Sequence, residues 1–185
     1  DYKSQDSVKY YVSKLVASDS ASPVVYQSLG IIFTEFKEYD EAIRMYDVSL
    51  SIDSLNPDTW KSVGATYQAM GKDTAAIYRY NKAWAIDSTD ASTYNQMANS
   101  YFTIERYKDA QYLFGRAIEY NPSNAVLYVN YGMASEWAGE KDAAEEYYKK
   151  GLQKDVAYSA AYYRLASLYA ASKPADAVKN LSLAI

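Results

Sequence analysis

The sequence predicts an all-α chain made of one helical hairpin repeated in tandem. Three observations carry that prediction. An aromatic residue recurs every 34 residues, at Tyr26, Trp60, Tyr94, Tyr128 and Tyr162. Small residues recur at fixed offsets from it. Within each segment the apolar positions are spaced by 3, 4 and 7, which marks one face of an α-helix. A period of this length means a supersecondary unit repeated along a stack, not one globular core.

The first helix of each unit follows directly from the recurrent aromatic. Three residues on stands a large apolar or aromatic residue: Leu29, Val63, Met97, Tyr131, Leu165. The next is small: Gly30, Gly64, Ala98, Gly132, Ala166. Phe33, Tyr67, Tyr101 and Tyr169 follow on the same face, with Ser135 in the fourth unit. The second helix carries a small residue (Ala42, Ala76, Ala110, Ala144), then an aromatic (Tyr46, Tyr80, Phe114, Tyr148). A small residue (Ser49, Ala83, Ala117, Gly151) and an apolar one (Leu50, Trp84, Ile118, Leu152) complete it. In the last unit, Ala177, Leu181, Ala184 and Ile185 fall into place once one residue is deleted. Small residues let the paired helices approach, and the aromatics fill the space beside them.

Turn chemistry sets the boundaries. Gly71 and Gly139 suit a left-handed C-terminal cap. Asp73, Asp109 and Asp142 place negative charge at the start of second helices, where the helix dipole favours it. Pro57 and Pro174 fit first-turn positions, where a missing N–H is harmless. The expected helices run near 2–17, 24–37, 40–54, 58–70, 74–88, 92–104, 108–120, 125–137, 142–154, 159–171 and 175–185.

This pattern resembles the tetratricopeptide repeat family over residues 23–185. The resemblance implies a right-handed superhelical solenoid of antiparallel helix pairs, with repeats at 23–56, 57–90, 91–124, 125–158 and a shortened 159–185. Residues 1–22 read as the second helix of a preceding repeat, because Val8, Val12, Leu15 and Val16 lie 34 residues before Ala42, Tyr46, Ser49 and Leu50. The frame opens midway through one unit and reaches Ile185 with no polar capping helix of the kind that closes such arrays.

Composition narrows the function classes. The net charge is −4, and no Lys/Arg run exceeds Lys149-Lys150. That argues against nucleic acid, which wants a basic stripe. No apolar run approaches the roughly 18 residues of a membrane span. Cysteine and histidine are both absent. Disulfides, thiolate metal sites, the usual general base and the usual thiol nucleophile are therefore missing. The carboxylate pairs Asp40-Glu41 and Glu145-Glu146 are helix neighbours that point in different directions. Asn180-Leu181-Ser182 has the form of a glycosylation acceptor but falls in the packing stripe of a helix. The expectation is a protein without catalytic activity, cofactor or metal.

Recognition remains. The resemblance implies that first helices line a concave groove and that the partner is another protein or a peptide. The groove-facing residues expected are Val24, Gln27, Ser28 and Ile31; Asp58, Lys61, Ser62 and Ala65; Ser92, Asn95, Gln96 and Asn99; Val126, Val129, Asn130 and Met133; Ala160, Tyr163, Arg164 and Ser167. Asn95, Asn99, Asn130 and Arg164 form the expected centre, with Gln96 and Lys61 at the edge. An amide offers donor and acceptor together, so it can hold a peptide backbone without reading its sequence. Phe102, Trp137 and Tyr163 are apolar candidates beside them.

Some domains of the family clamp a C-terminal carboxylate with Lys, Asn, Asn, Lys and Arg. The residues here are Asn95, Asn99, Asn130, Ala160 and Arg164. Both lysines are lost, and with them most carboxylate selectivity, since a hydrogen bond to a charged group contributes roughly 1.5–3 kcal/mol. Two further readings stay open. One is a structural segment that self-associates through Tyr10, Tyr11 and Val12 at one end and Leu181 and Ile185 at the other. The other is a regulatory module of a larger protein whose chemistry lies elsewhere.

Overall fold

The protein is described by a computed structural model that covers Tyr10, Lys14 and residues 22–185. Apart from Tyr10 and Lys14, the expected helix near 2–17, including Val8, Val12, Leu15 and Val16, lies outside the described residues. Among the described residues there are ten helices and no strand. They are α1 (Pro23–Glu35), α2 (Tyr39–Ile52), α3 (Pro57–Ala69), α4 (Asp73–Ile86), α5 (Ala91–Thr103), α6 (Tyr107–Tyr120), α7 (Ala125–Trp137), α8 (Lys141–Lys154), α9 (Ser159–Tyr169) and α10 (Pro174–Leu183). Their bounds fall within one or two residues of the sequence expectation. The chain divides into two compact units, Asp1–Ser88 and Thr89–Ile185.

The helix ends follow from local chemistry. Asn56, Asp90 and Asn124 each accept backbone N–H bonds at the starts of α3, α5 and α7, satisfying donors that a helix leaves orphaned. Pro23, Pro57 and Pro174 open their helices. After α3 and α7 the chain turns through Gly71 (φ 70) and Gly139 (φ 85). After α1 and α5 the same left-handed turn is made by Lys37 (φ 61) and Glu105 (φ 62), at a steric cost of about 1 kcal/mol or more that glycine avoids.

Each first helix packs against the second helix that follows it, and the pairs then pack in series within each unit. In the first unit Phe33, Ala42, Tyr46, Leu50 and Val63 form one core, with Met45, Trp60 and Tyr67 against it. In the second, Val129, Ala144, Tyr148, Ala161, Leu165 and Tyr169 form another. The glycines of the first helices make the close approach possible. A Cβ added to Gly30 or Gly64 would overlap the ring of Tyr46 or Tyr80, and one on Gly132 would stand 2.7 Å from Tyr148 Cδ1.

A buried phenol also needs a partner for its hydroxyl. Four residues after the glycine, the first helix supplies one. Tyr46 Oη lies 3.4 Å from Thr34 Oγ1, Tyr80 Oη donates to Gln68 Oε1 at 2.5 Å, and Tyr148 Oη donates to Glu136 Oε2 at 2.5 Å. Burial pushes all three phenols above their ordinary value, and for Tyr148 the Glu136 carboxylate adds to the effect. No helix among the described residues is long and apolar enough to cross a membrane.

Candidate functional site

The expected site residues divide between the two units. Lys61 stands on α3 in the first unit, where its Nζ pairs with Asp58 Oδ1 at 2.7 Å. The other five stand in the second unit, on the first helices of successive pairs. Asn95, Gln96 and Asn99 lie on α5, Asn130 on α7 and Arg164 on α9.

The structure joins two of these directly. Asn130 Nδ2 donates to Asn95 Oδ1 at 3.2 Å, which links the amides of α5 and α7. Asn99, one helical turn beyond Asn95, is exposed, while Asn95, Gln96 and Asn130 are half-buried. Arg164 is half-buried too. Among the described residues it makes no hydrogen bond and no ion pair, although its charge acts on the buried Tyr148 phenol. A guanidinium carries five donors in a fixed fork, so this side chain keeps its whole donor capacity. Tyr163 beside it is exposed.

Not every expected groove residue faces outward. Val129 is only 2% exposed and belongs to the core shared by α7, α8 and α9, with Met133 packed against it. The reason is local. Gly151 on α8 has no side chain, and a Cβ there would stand 2.9 Å from Val129 Cγ2. A branched apolar residue therefore fills the gap that glycine leaves. Phe102 and Trp137 turn toward each other and toward Tyr107, with ring centroids 5.3–6.4 Å apart. They form an aromatic corner at the end of α5 and α7, and Trp137 remains 60% exposed.

Two features escaped the sequence reading. A concavity of about 410 Å³ lies among Lys108, Gln111, Tyr112, Arg116, Tyr131 and Tyr147. Its cations are already engaged, Lys108 with Glu140 and Arg116 with Glu119. Tyr131 stacks on Tyr147 with centroids 3.7 Å apart, and burial followed by the neighbouring Tyr147 pushes the Tyr131 phenol up to about 12. The second feature is a smaller polar cavity of about 150 Å³ at the start of α5, which shares Asn95 with the linked amides. Asn121 and Asn124 come from the loop between α6 and α7, and nothing in their spacing announced a common cavity.

Comparison with known proteins agrees with the helix pairs. Residues 105–168 match the tetratricopeptide repeat family model. No curated protein sequence matches the chain. A crystal structure of MamA is similar at 29% identity over 84% of this chain and 92% of that one, with a TM-score of 0.76. PilF of Pseudomonas aeruginosa is similar at 22% identity, over 89% of this chain and 75% of that one, with a TM-score of 0.78. YrrB, described as a TPR protein with an unusual peptide-binding site, is similar at 20% identity over 94% of this chain and 90% of that one, with a TM-score of 0.73. At those identities the PilF and YrrB likenesses establish a shared fold.

Proposed function

We propose that this chain, which belongs to the tetratricopeptide repeat family, is a non-catalytic interaction scaffold whose partner-binding face is made by α5, α7 and α9. In the frame of repeats 91–124, 125–158 and 159–185, Asn95, Asn99, Asn130 and Arg164 are the centre of that face, with Gln96 at its edge. The partner is a protein segment held in extended form. The observation that carries the proposal is Arg164. A half-buried guanidinium with no hydrogen bond or ion pair among the described residues is partly desolvated without compensation, and an incoming acceptor relieves that cost. The linked amides of Asn95 and Asn130 supply donors and acceptors for a peptide backbone alongside it.

The test begins with a partner captured from the native source. Arg164→Ala and Asn130→Ala are each expected to weaken its binding by about 1–3 kcal/mol, with the melting temperature nearly unchanged. A folded double variant that binds with parental affinity excludes this face.

A second reading, self-association through the face of α10, has one observation in its favour. Leu181 is 47% exposed at the packing position where Tyr80 and Tyr148 are fully buried. Sedimentation across a hundredfold dilution separates the two: a dissociating oligomer that Leu181→Lys abolishes supports the second reading.

A further inference from the structure

The loop between α6 and α7 closes a cavity of about 150 Å³ against the start of α5, lined by Ala91, Ser92, Asn95, Asn121, Asn124 and Leu127. Three carboxamides share this small space, and each has its oxygen engaged by a local donor. Asn95 Oδ1 accepts from Asn130 Nδ2 at 3.2 Å. Asn121 Oδ1 accepts from Ser123 Oγ at 3.1 Å. Asn124 Oδ1 accepts from the Val126 N–H at 3.0 Å while capping α7. The backbone donor fixes the sense of the Asn124 amide, and in the arrangement these bonds form, Asn95 and Asn121 likewise keep their nitrogens free. Among the described residues none of the three Nδ2 groups that border the cavity donates into it or across it; the one amide nitrogen in use nearby is that of Asn130, outside the lining.

The lining is therefore rich in unused N–H donors. It calls for a ligand that accepts hydrogen bonds. Its charge selects among acceptors. No Lys or Arg lines the cavity, and the Asp90 carboxylate sits at the same helix start, accepting from the Ser92 and Thr93 N–H groups at 3.0 and 3.2 Å. A carboxylate ligand would meet that negative charge in a lining that holds no Lys or Arg. An uncharged acceptor meets no such penalty. Size selects further: a cavity of about 150 Å³ holds one group of roughly benzene size, so it admits a side-chain tip and not an element of backbone structure. A carboxamide also brings its own N–H₂, for which the Ser92 hydroxyl and the second lone pairs of the Asn oxygens are acceptors. Ala91 and the buried Leu127 form the apolar wall that packs the methylene carbons.

We infer that this cavity is a specificity subsite that takes the side-chain carboxamide of an Asn or Gln residue in the partner segment. The inference rests on the reading of α5, α7 and α9 as the partner-binding face, since Asn95 belongs to both. It adds sequence discrimination to a face whose other amides hold backbone without reading it.

Three capped amino acids differing only at the side-chain tip supply the test: the N-acetyl, N-methylamide forms of glutamine, glutamate and norleucine. Each is titrated into the ¹⁵N-labelled chain while the side-chain N–H₂ resonances of Asn95, Asn121 and Asn124 are followed by NMR. The glutamine probe is expected to shift all three together and to bind at least tenfold more tightly than the other two. Asn121→Leu, which fills the cavity from the loop, is expected to abolish those shifts. Arg164→Ala leaves them intact, so loss of the subsite and loss of the wider face are separate results. Equal affinity for the glutamate or norleucine probe, absence of any shift with glutamine, or shifts that survive in Asn121→Leu each overturn the inference.

Discussion

The third helix pair, α5 with α6, differs from the pairs built by α1 and α2, α3 and α4, and α7 and α8. In those three a tyrosine on the second helix lies against a glycine on the first, and a polar residue one turn further on meets its hydroxyl. In the third pair all three positions change together. Phe114 replaces the tyrosine, Ala98 stands where the glycines stand, and Phe102 stands where Thr34, Gln68 and Glu136 stand. Phe114 and Ala98 are as buried as their counterparts, and Phe102 packs instead with Tyr107 and Trp137. The hydroxyl accounts for the change at Phe102, while the glycines make room for the ring itself, whose carbons are the atoms an added Cβ would strike. A buried phenol imposes one condition on the neighbouring helix that a phenyl ring does not, a hydrogen-bond partner for its oxygen. Remove the oxygen and that condition lapses, so phenylalanine becomes acceptable at position 102.

The largest expected effect is common to both kinds of pair. Tyr80→Ala and Phe114→Ala each remove a fully buried ring and should destabilise by about 3–5 kcal/mol through cavity formation, measured by urea unfolding. A loss below about 1 kcal/mol at either position would break the claim that these rings are the core of their pairs.

The comparison sharpens at the small residues. Gly64→Leu and Gly132→Leu force a side chain into the space of Tyr80 and Tyr148 and should cost about 1–3 kcal/mol through overpacking. Thermal melting checks this, and a parental melting temperature in Gly64→Leu would contradict the hairpin register.

The pH profile shows the smallest effects and distinguishes the pairs again. In the fold the phenols of Tyr46, Tyr80 and Tyr148 stay protonated above their ordinary 10.0, chiefly because they are buried. The unfolded chain ionises first as pH rises, so stability is full below about pH 10 and declines above it. Phe114, at the equivalent position of the third pair, has no hydroxyl to ionise. On the acid side, hydrogen bonds from Lys149 and Tyr169 hold the Glu145 carboxyl down at about 2, against 4.5 unperturbed. Its contribution is present above pH 4.5 and lost as pH falls toward 2, and solvent screening keeps it small. Melting temperatures from pH 2 to 11 should show both flanks; a curve that stays level above pH 10 would contradict the burial of the phenols.

Much of the fold was legible in the sequence. The 34-residue period, the 3-and-4 spacing, and the Gly and Pro signals located the described helices to within a few residues at each end. The link between Gly30 and Tyr46, or Ala98 and Phe114, was visible as a fixed 16-residue offset. Its cause was not, because that required knowing which ring carbons press on the facing helix. The site was less legible. Position in the repeat put Asn95 and Asn130 on the first helices of successive units, and a hydrogen bond links the two side chains. The same rule put Val129 in the groove, where burial against α8 overrode it through Gly151. The cavity bordered by Asn121 and Asn124 was hidden because a loop residue has no periodicity to place its side chain.

One thermodynamic cycle tests the central claim, that the tyrosine hydroxyl dictates the polar residue one turn beyond the glycine on the facing helix. Phe114→Tyr alone should destabilise the chain by about 1–3 kcal/mol, since the new hydroxyl is buried where Phe102 offers it no hydrogen-bond partner. Adding Ala98→Gly and Phe102→Gln rebuilds the arrangement of the second pair. The account predicts that the triple variant is more stable than the sum of its parts by at least about 1 kcal/mol, measured by equilibrium unfolding. Strict additivity of the three substitutions would contradict it.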